Sequence, residues 1–350
     1  MALSRICKIS SLSSKEVLFL QPHNNRHGLR FQKAVRNFRR SRTTNEEPKV
    51  NPESLATPFT NASVDSRNLQ VGNLTKPLLF TIGFSGATFL GAVIWEYENM
   101  RRHAIKHLKK PVKFFKKKID ESFHASTELT QEIQNWWNRL TLGEKVFVPI
   151  CAVNVLVFAA WRVPRWQPFM MKYFCSNPAS QHVCLPMLLS TFSHYSGIHL
   201  LANMYVLHSF STGAVQSLGM EQFLALYFSA GVVSSFTSYF YKVVTKQPGL
   251  SLGASGAIMA VLGYVCTQFP DTRLGIILLP VITFSAGSAI KFIMGLDLAG
   301  VLLGWKFFDH AAHLGGAAWG ISYALWGNQY IWQKREPVLH YWHEFRGSIK

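Results

Sequence analysis

Acid is scarce in this sequence, and its distribution is more telling than its amount. Only 18 of 350 residues are Asp or Glu, against 36 Lys or Arg. Residues 1–45 hold ten Lys/Arg and a single acid, Glu16; the run Arg101 to Lys118 holds nine with none; the remainder is neutral. A basic face spread over a fold is therefore missing, which argues against nucleic-acid binding. Charge confined to a leader and one stretch points instead to targeting and membrane topology. The cysteines, Cys7, Cys151, Cys175, Cys184 and Cys266, are odd in number and lack C-x-x-C spacing, so no disulfide framework or zinc module is implied. No fixed-period repeat is present. Charge of either sign is sparse at 15%, with 48% hydrophobic residues and a mean hydropathy of +0.10, which is too apolar for a soluble enzyme with polar loops.

What is present divides in order along the chain. Residues 1–45, basic and rich in Ser and Asn, have the composition of a mitochondrial transit-like leader. Residues 46–75, with Pro48, Pro52 and Pro58, read as a polar linker. Pro77 to Trp95 carries no charge and is long enough to cross a bilayer, so 77–95 is expected to be an extra transmembrane helix. Residues 96–145 are expected to be a basic and amphipathic loop. The Arg101 to Lys118 run and the pair Trp136 and Trp137 within it suit a surface of anionic lipids. Residues 146–328 read as a six-helix body, with helices near 146–161, 197–218, 223–241, 255–269, 283–305 and 310–326 and an extended connection across 274–282. Residues 329–350 form a C-terminal tail. The expected fold is thus an all-α polytopic membrane protein, one added N-terminal helix plus a six-helix bundle.

The second, fourth and sixth helices of that body run parallel, so their N-terminal ends share one side of the membrane. Polar residues collect there: His194, His199 and Asn203 from the second, Ser255 from the fourth, and His310 and His313 from the sixth. His199 and Asn203, at i and i+4, lie on one helix face. Gly253 and Gly256 flank Ser255 and permit close backbone approach, and Gly316 with Gly320 gives the sixth helix a groove for the fourth. A helix-packing motif is the plain reading of Gly253-Ala254-Ser255-Gly256 alone. The polar convergence points to nucleophilic catalysis, because a serine needs a base such as neutral His313. The resulting oxyanion needs donors such as the Ser255 N–H, the Asn203 amide and the His199 ring.

Other polar residues receive simpler readings. Asp309 is expected to cap the sixth helix rather than orient His313, His194 to tie the preceding loop to its helix, and His310 to point at the interface. No carboxylate third member is evident, and Lys291 and Asp297 receive no role. Two other classes remain open: a metal or haem protein ligated by His194, His199, His310 and His313, and a non-proteolytic scaffold for membrane helices.

His194-x4-His199-x3-Asn203, Gly253-Ala254-Ser255-Gly256 and Ala312-His313-Leu314-Gly315-Gly316 together resemble the rhomboid intramembrane serine proteases over about 146–328. The added helix and leader resemble the family's members of the mitochondrial inner membrane. The resemblance implies Ser255 as nucleophile, His313 as base, and His199 with Asn203 in the oxyanion hole. It also implies single-pass membrane proteins as substrates, no cofactor, and roles in mitochondrial quality control and apoptosis. Two departures stand out. Leu185 and Pro186 occupy the positions of a Trp-Arg pair seen in many members, and Met259 replaces an aromatic ring that in some members stacks on the histidine.

Overall fold

Long uncharged runs bounded by caps dictate a helical chain, and the protein has an all-α polytopic membrane fold. A computed structural model describes residues 74–113, 128–247, 249–276 and 279–348. The leader, nearly all of the linker and Lys116 to Lys118 lie outside the described residues. Helices α1 (Thr75–Lys113), α2 (Glu128–Arg139), α3 (Leu142–Ala160), α4 (Gln167–Tyr173), α5 (Cys184–Leu189), α6 (Gly197–Leu218), α7 (Met220–Thr245) and α8 (Ser255–Gln268) follow in order. A hairpin of β1 (Arg273–Ile276) and β2 (Leu279–Ser285) then leads to α9 (Ala286–Leu303), α10 (His310–Ser322) and α11 (Glu336–Ser348). A π-helical stretch, Tyr323–Trp332, connects the last two helices.

Among the described residues α1, α3, α7 and α9 are long and apolar enough to cross a membrane. The other expected spans, α6, α8 and α10, are the ones that carry the polar residues of interest.

Local chemistry accounts for where the elements begin and end. A capping box, in which Thr141 Oγ1 accepts from Glu144 N–H at 3.2 Å and Glu144 Oε2 accepts from Thr141 N–H at 2.8 Å, starts α3 at Leu142, ahead of the expected 146. Lys246 and Gly304, both in the left-handed region, close α7 and α9. The connection expected to be extended at 274–282 is the antiparallel hairpin, Arg273 opposite Ser285 and Gly275 opposite Thr283.

Two stretches differ from expectation. Residues 96–113, expected within a loop, continue α1, because no Gly or Pro interrupts the sequence from Glu96 to Lys110. The tail contains α11, held to α1 by Glu98, whose carboxylate oxygens lie 2.7 and 2.9 Å from Arg346 Nη1 and accept from Trp342 Nε1 at 3.1 Å.

The centre of the bundle is α8, buried along almost its whole length against α7 and α10. A Cβ on Gly316 would collide with the Gly256 carbonyl oxygen, and one on Gly320 with that of Ala260. The expected groove is therefore real, and α8 and α10 meet backbone to backbone.

Candidate active site

Ser255 is the first residue of α8, where the helix leaves its leading N–H groups without intrahelical acceptors. The strand-like approach to it is pinned. Ser176 and Ser251 exchange backbone hydrogen bonds at 2.8 and 2.9 Å, and Gly253 N–H donates to Ser190 O at 2.9 Å. Gly253 has φ +134°, a region that disfavours any side chain, and a Cβ there would sit 2.8 Å from His199 Cε1. The serine, the His199 ring and this glycine are thus locked in one small volume.

The backbone seam between α8 and α10 brings His313 to the serine: its Nε2 lies 2.9 Å from Ser255 Oγ. The other ring nitrogen, Nδ1, is 3.2 Å from Asp297 Oδ1 on α9. His310 Nδ1 approaches the same oxygen at 2.6 Å. The expectation that His310 points at the interface is therefore corrected. It is buried, because the Asp297 carboxylate draws it inward and Gly300 leaves room for its ring. The absence of a carboxylate beside His313 is corrected by the same contact. Asp297 was legible as the one acid in the apolar α9, since an acid at such a position is costly.

His194 ties the loop to α6. Asn203 Nδ2 donates to His194 Nε2 and to His199 O, both at 3.0 Å, so both of its N–H groups are engaged. Ala254 N–H also faces His194 Nε2 at 3.4 Å. Burial, aided by the neighbouring His199, pulls the His194 ring down to about 3, which keeps it neutral and able to accept. Asp309 caps α10, Oδ1 accepting from Ala312 N–H at 3.1 Å. Its Oδ2 also accepts from Ser238 at 2.5 Å, from Lys242 at 3.2 Å, and from Ser251. Burial would raise this carboxyl, but the Lys242 ammonium first, then the Ser238 and Ser251 hydroxyls and the Ala312 N–H, hold it down to about 2.

The family departures have local substitutes. A Trp-Arg pair occurs instead at the end of α3, where Trp161 Nε1 donates to Ser193 Oγ at 2.8 Å and Arg162 donates to Tyr195 O at 2.5 Å. Phe308 rather than an α8 aromatic lies beside His313, ring centroids 6.1 Å apart. Met259 shares with Phe308, Trp305, Asp297 and His313 a largely apolar cavity of about 430 Å³.

The four histidines weighed as metal ligands divide into two edge-on pairs, His194 with His199 and His310 with His313. The group among the described residues whose ligand atoms fall within 4.8 Å of one another is Asp297, His310 and His313.

Residues 182–329 match the Rhomboid domain family. Over 322 residues, covering 90% of this chain and 83% of the relative, the sequence is 49% identical to the presenilin-associated rhomboid-like protein, mitochondrial, of Bos taurus. The Homo sapiens protein of the same name is 52% identical over 280 residues, 79% of this chain and 72% of the relative. Rhomboid protein 1, mitochondrial, of Saccharomyces cerevisiae is 32% identical over 194 residues, 54% of this chain and 55% of the relative.

Proposed function

The chain belongs to the rhomboid family, and on that premise we propose that it is a serine protease of the mitochondrial inner membrane whose nucleophile is Ser255 and whose general base is His313. At the coarser level it is an intramembrane protease of mitochondria and a multi-pass membrane protein. The observation that carries the finer reading is the 2.9 Å contact between His313 Nε2 and Ser255 Oγ at the start of a buried helix.

Proton transfer from Oγ to Nε2 accompanies attack on the scissile carbonyl. The oxyanion is met by the Ser255 N–H at the α8 terminus and by the His199 ring, packed against Gly253. Asn203 joins them by giving up one of its two resting hydrogen bonds. The proton on Nε2 then passes to the leaving nitrogen as the C–N bond breaks, and water repeats the sequence on the acyl-enzyme. Substrates of this reading are single-pass membrane proteins, with roles in mitochondrial quality control and apoptosis implied by the family resemblance.

The test is labelling of the purified protein by a fluorophosphonate. Wild type is expected to label at Ser255, and Ser255→Ala and His313→Ala are each expected to abolish labelling while the protein stays folded. Labelling that persists in folded Ser255→Ala overturns the assignment.

A further inference from the structure

Asp297 is difficult to explain as a packing residue. It stands in an 18-residue helix that is otherwise apolar apart from Lys291 and Ser288, it is 4% exposed, and its Oδ2 has no hydrogen-bond partner among the described residues. A carboxylate in that position is costly to desolvate. Its contacts are two imidazole nitrogens meeting at one oxygen, His310 Nδ1 at 2.6 Å and His313 Nδ1 at 3.2 Å.

We propose that Asp297 is a positioning residue acting through His313, so that Ser255, His313 and Asp297 work as a relay of three rather than a pair. The proposal rests on the reading of Ser255 and His313 given above. A carboxylate oxygen facing Nδ1 retains the ring proton there. Nε2 is then left with its lone pair toward Ser255 Oγ, 2.9 Å away, which is the tautomer a base requires. When Ser255 Oγ bonds to the scissile carbon and the carbonyl electron pair moves to oxygen, the Oγ proton passes to Nε2. The imidazolium so formed keeps Nδ1–H on Asp297, and the Asp297 proton inventory does not change. Nε2 later gives its proton to the departing nitrogen.

His310 has a different part. It meets the same Oδ1 from the far side at 2.6 Å and there ties α10 to α9. Its ring lies against Gly300, one turn along from Asp297, where a Cβ would come within 2.5 Å of the ring. It touches neither Ser255 nor the nitrogen that faces Ser255, so its loss leaves the 3.2 Å contact to His313 available.

The experiment uses the full chain in liposomes and follows fluorophosphonate labelling as separate kinact and KI. Asp297→Asn, nearly isosteric, is expected to lower kinact about 100-fold or more, because the amide can present N–H to Nδ1 and reverse the ring tautomer. KI is expected to stay within about twofold. Asp297→Glu is expected to recover a measurable part of kinact, and His310→Leu to stay within about threefold of wild type. A merely structural carboxylate gives another pattern: His310→Leu then loses as much as Asp297→Asn, since either change cuts the tie between α9 and α10. That pattern overturns the proposal, as does wild-type kinact in Asp297→Asn. Should Asp297→Asn fail to fold, Asp297→Glu decides: kinact at least about tenfold lower with KI unchanged supports the relay, and wild-type kinact with the carboxylate displaced by a methylene overturns it. Labelling that needs His313 but ignores Asp297 refutes only the relay. Labelling indifferent to His313 refutes the protease mechanism itself.

Discussion

Glycines in α1 and glycines in α10 look alike in sequence and do opposite things. Gly83, Gly86 and Gly91 of α1 face open space, with nothing within 4 Å of an added Cβ, while the packed face of that helix is Thr81, Ser85, Phe89, Ala92 and Val93. Gly316 and Gly320 of α10 lie directly on the carbonyl oxygens of Gly256 and Ala260. Small residues in an apolar segment therefore say nothing by themselves. What separates the two sets is that the α10 pair faces small residues of the partner helix at matched one-turn spacing, so both backbones can close, whereas nothing small faces the α1 set.

The largest effect that would break this contrast is at the seam. Gly316→Ala must push α10 away from α8, at about 1–3 kcal/mol for overpacking. It also lengthens the contact between His313 and Ser255, so fluorophosphonate labelling is expected to be lost along with a lower melting temperature. Wild-type labelling would show the seam to be incidental. Asn203→Ala comes next: it removes a proposed oxyanion donor, and substrate cleavage is expected to drop about 100-fold with little change in KM.

Asp309→Asn, at the mouth of the seam, is expected to destabilise by about 1 kcal/mol through loss of a charge-assisted cap and the Lys242 pair, readable in a melting curve. The pH dependence has a definite sign. A carboxyl held at about 2 in the fold, below its ordinary 3.8, contributes its full stability above pH 3.8 and loses it as pH falls toward 2. The wild type and the Asn variant are therefore expected to differ by a constant amount between pH 5 and 8. Smallest of all, Gly86→Ala on α1 is expected to leave labelling unchanged and to raise stability by up to about 1 kcal/mol through helix propensity.

Much of this was readable in the residues themselves. The polar groups of α6, α8 and α10 announced themselves because lipid penalises them, and parallel helix direction was enough to bring Ser255, His199, Asn203 and His313 to one end. The α8 to α10 groove followed from Gly316 and Gly320. Asp297 was visible yet unassigned, since its partners are 13 and 16 residues further on, in a helix entered through a loop whose turn no periodicity describes. The Trp161 and Arg162 anchor is not legible at 185 and 186, because side chains reaching from the end of α3 hold the same loop. Where α1 would stop was also misjudged: apolar length measures how much helix lipid can cover, and helix-forming residues carry the backbone on past it.

The shortness of α8 has one more consequence. Fourteen residues rise about 21 Å, against about 30 Å of hydrocarbon. With Pro270 just past its far end, a helix of this length reaches at most one face of such a layer, and Ser255 at its start falls short of the other. Hydrolysis consumes a water molecule for every bond cut, so a serine at that depth depends on the protein itself for its supply of solvent. The polar cluster of Ser238, Lys242, Ser251 and Asp309, bonded to one another beside the approach to α8, is where polar groups gather nearest that end of the helix. For a helix this short, irrigation joins chemistry among the conditions of turnover.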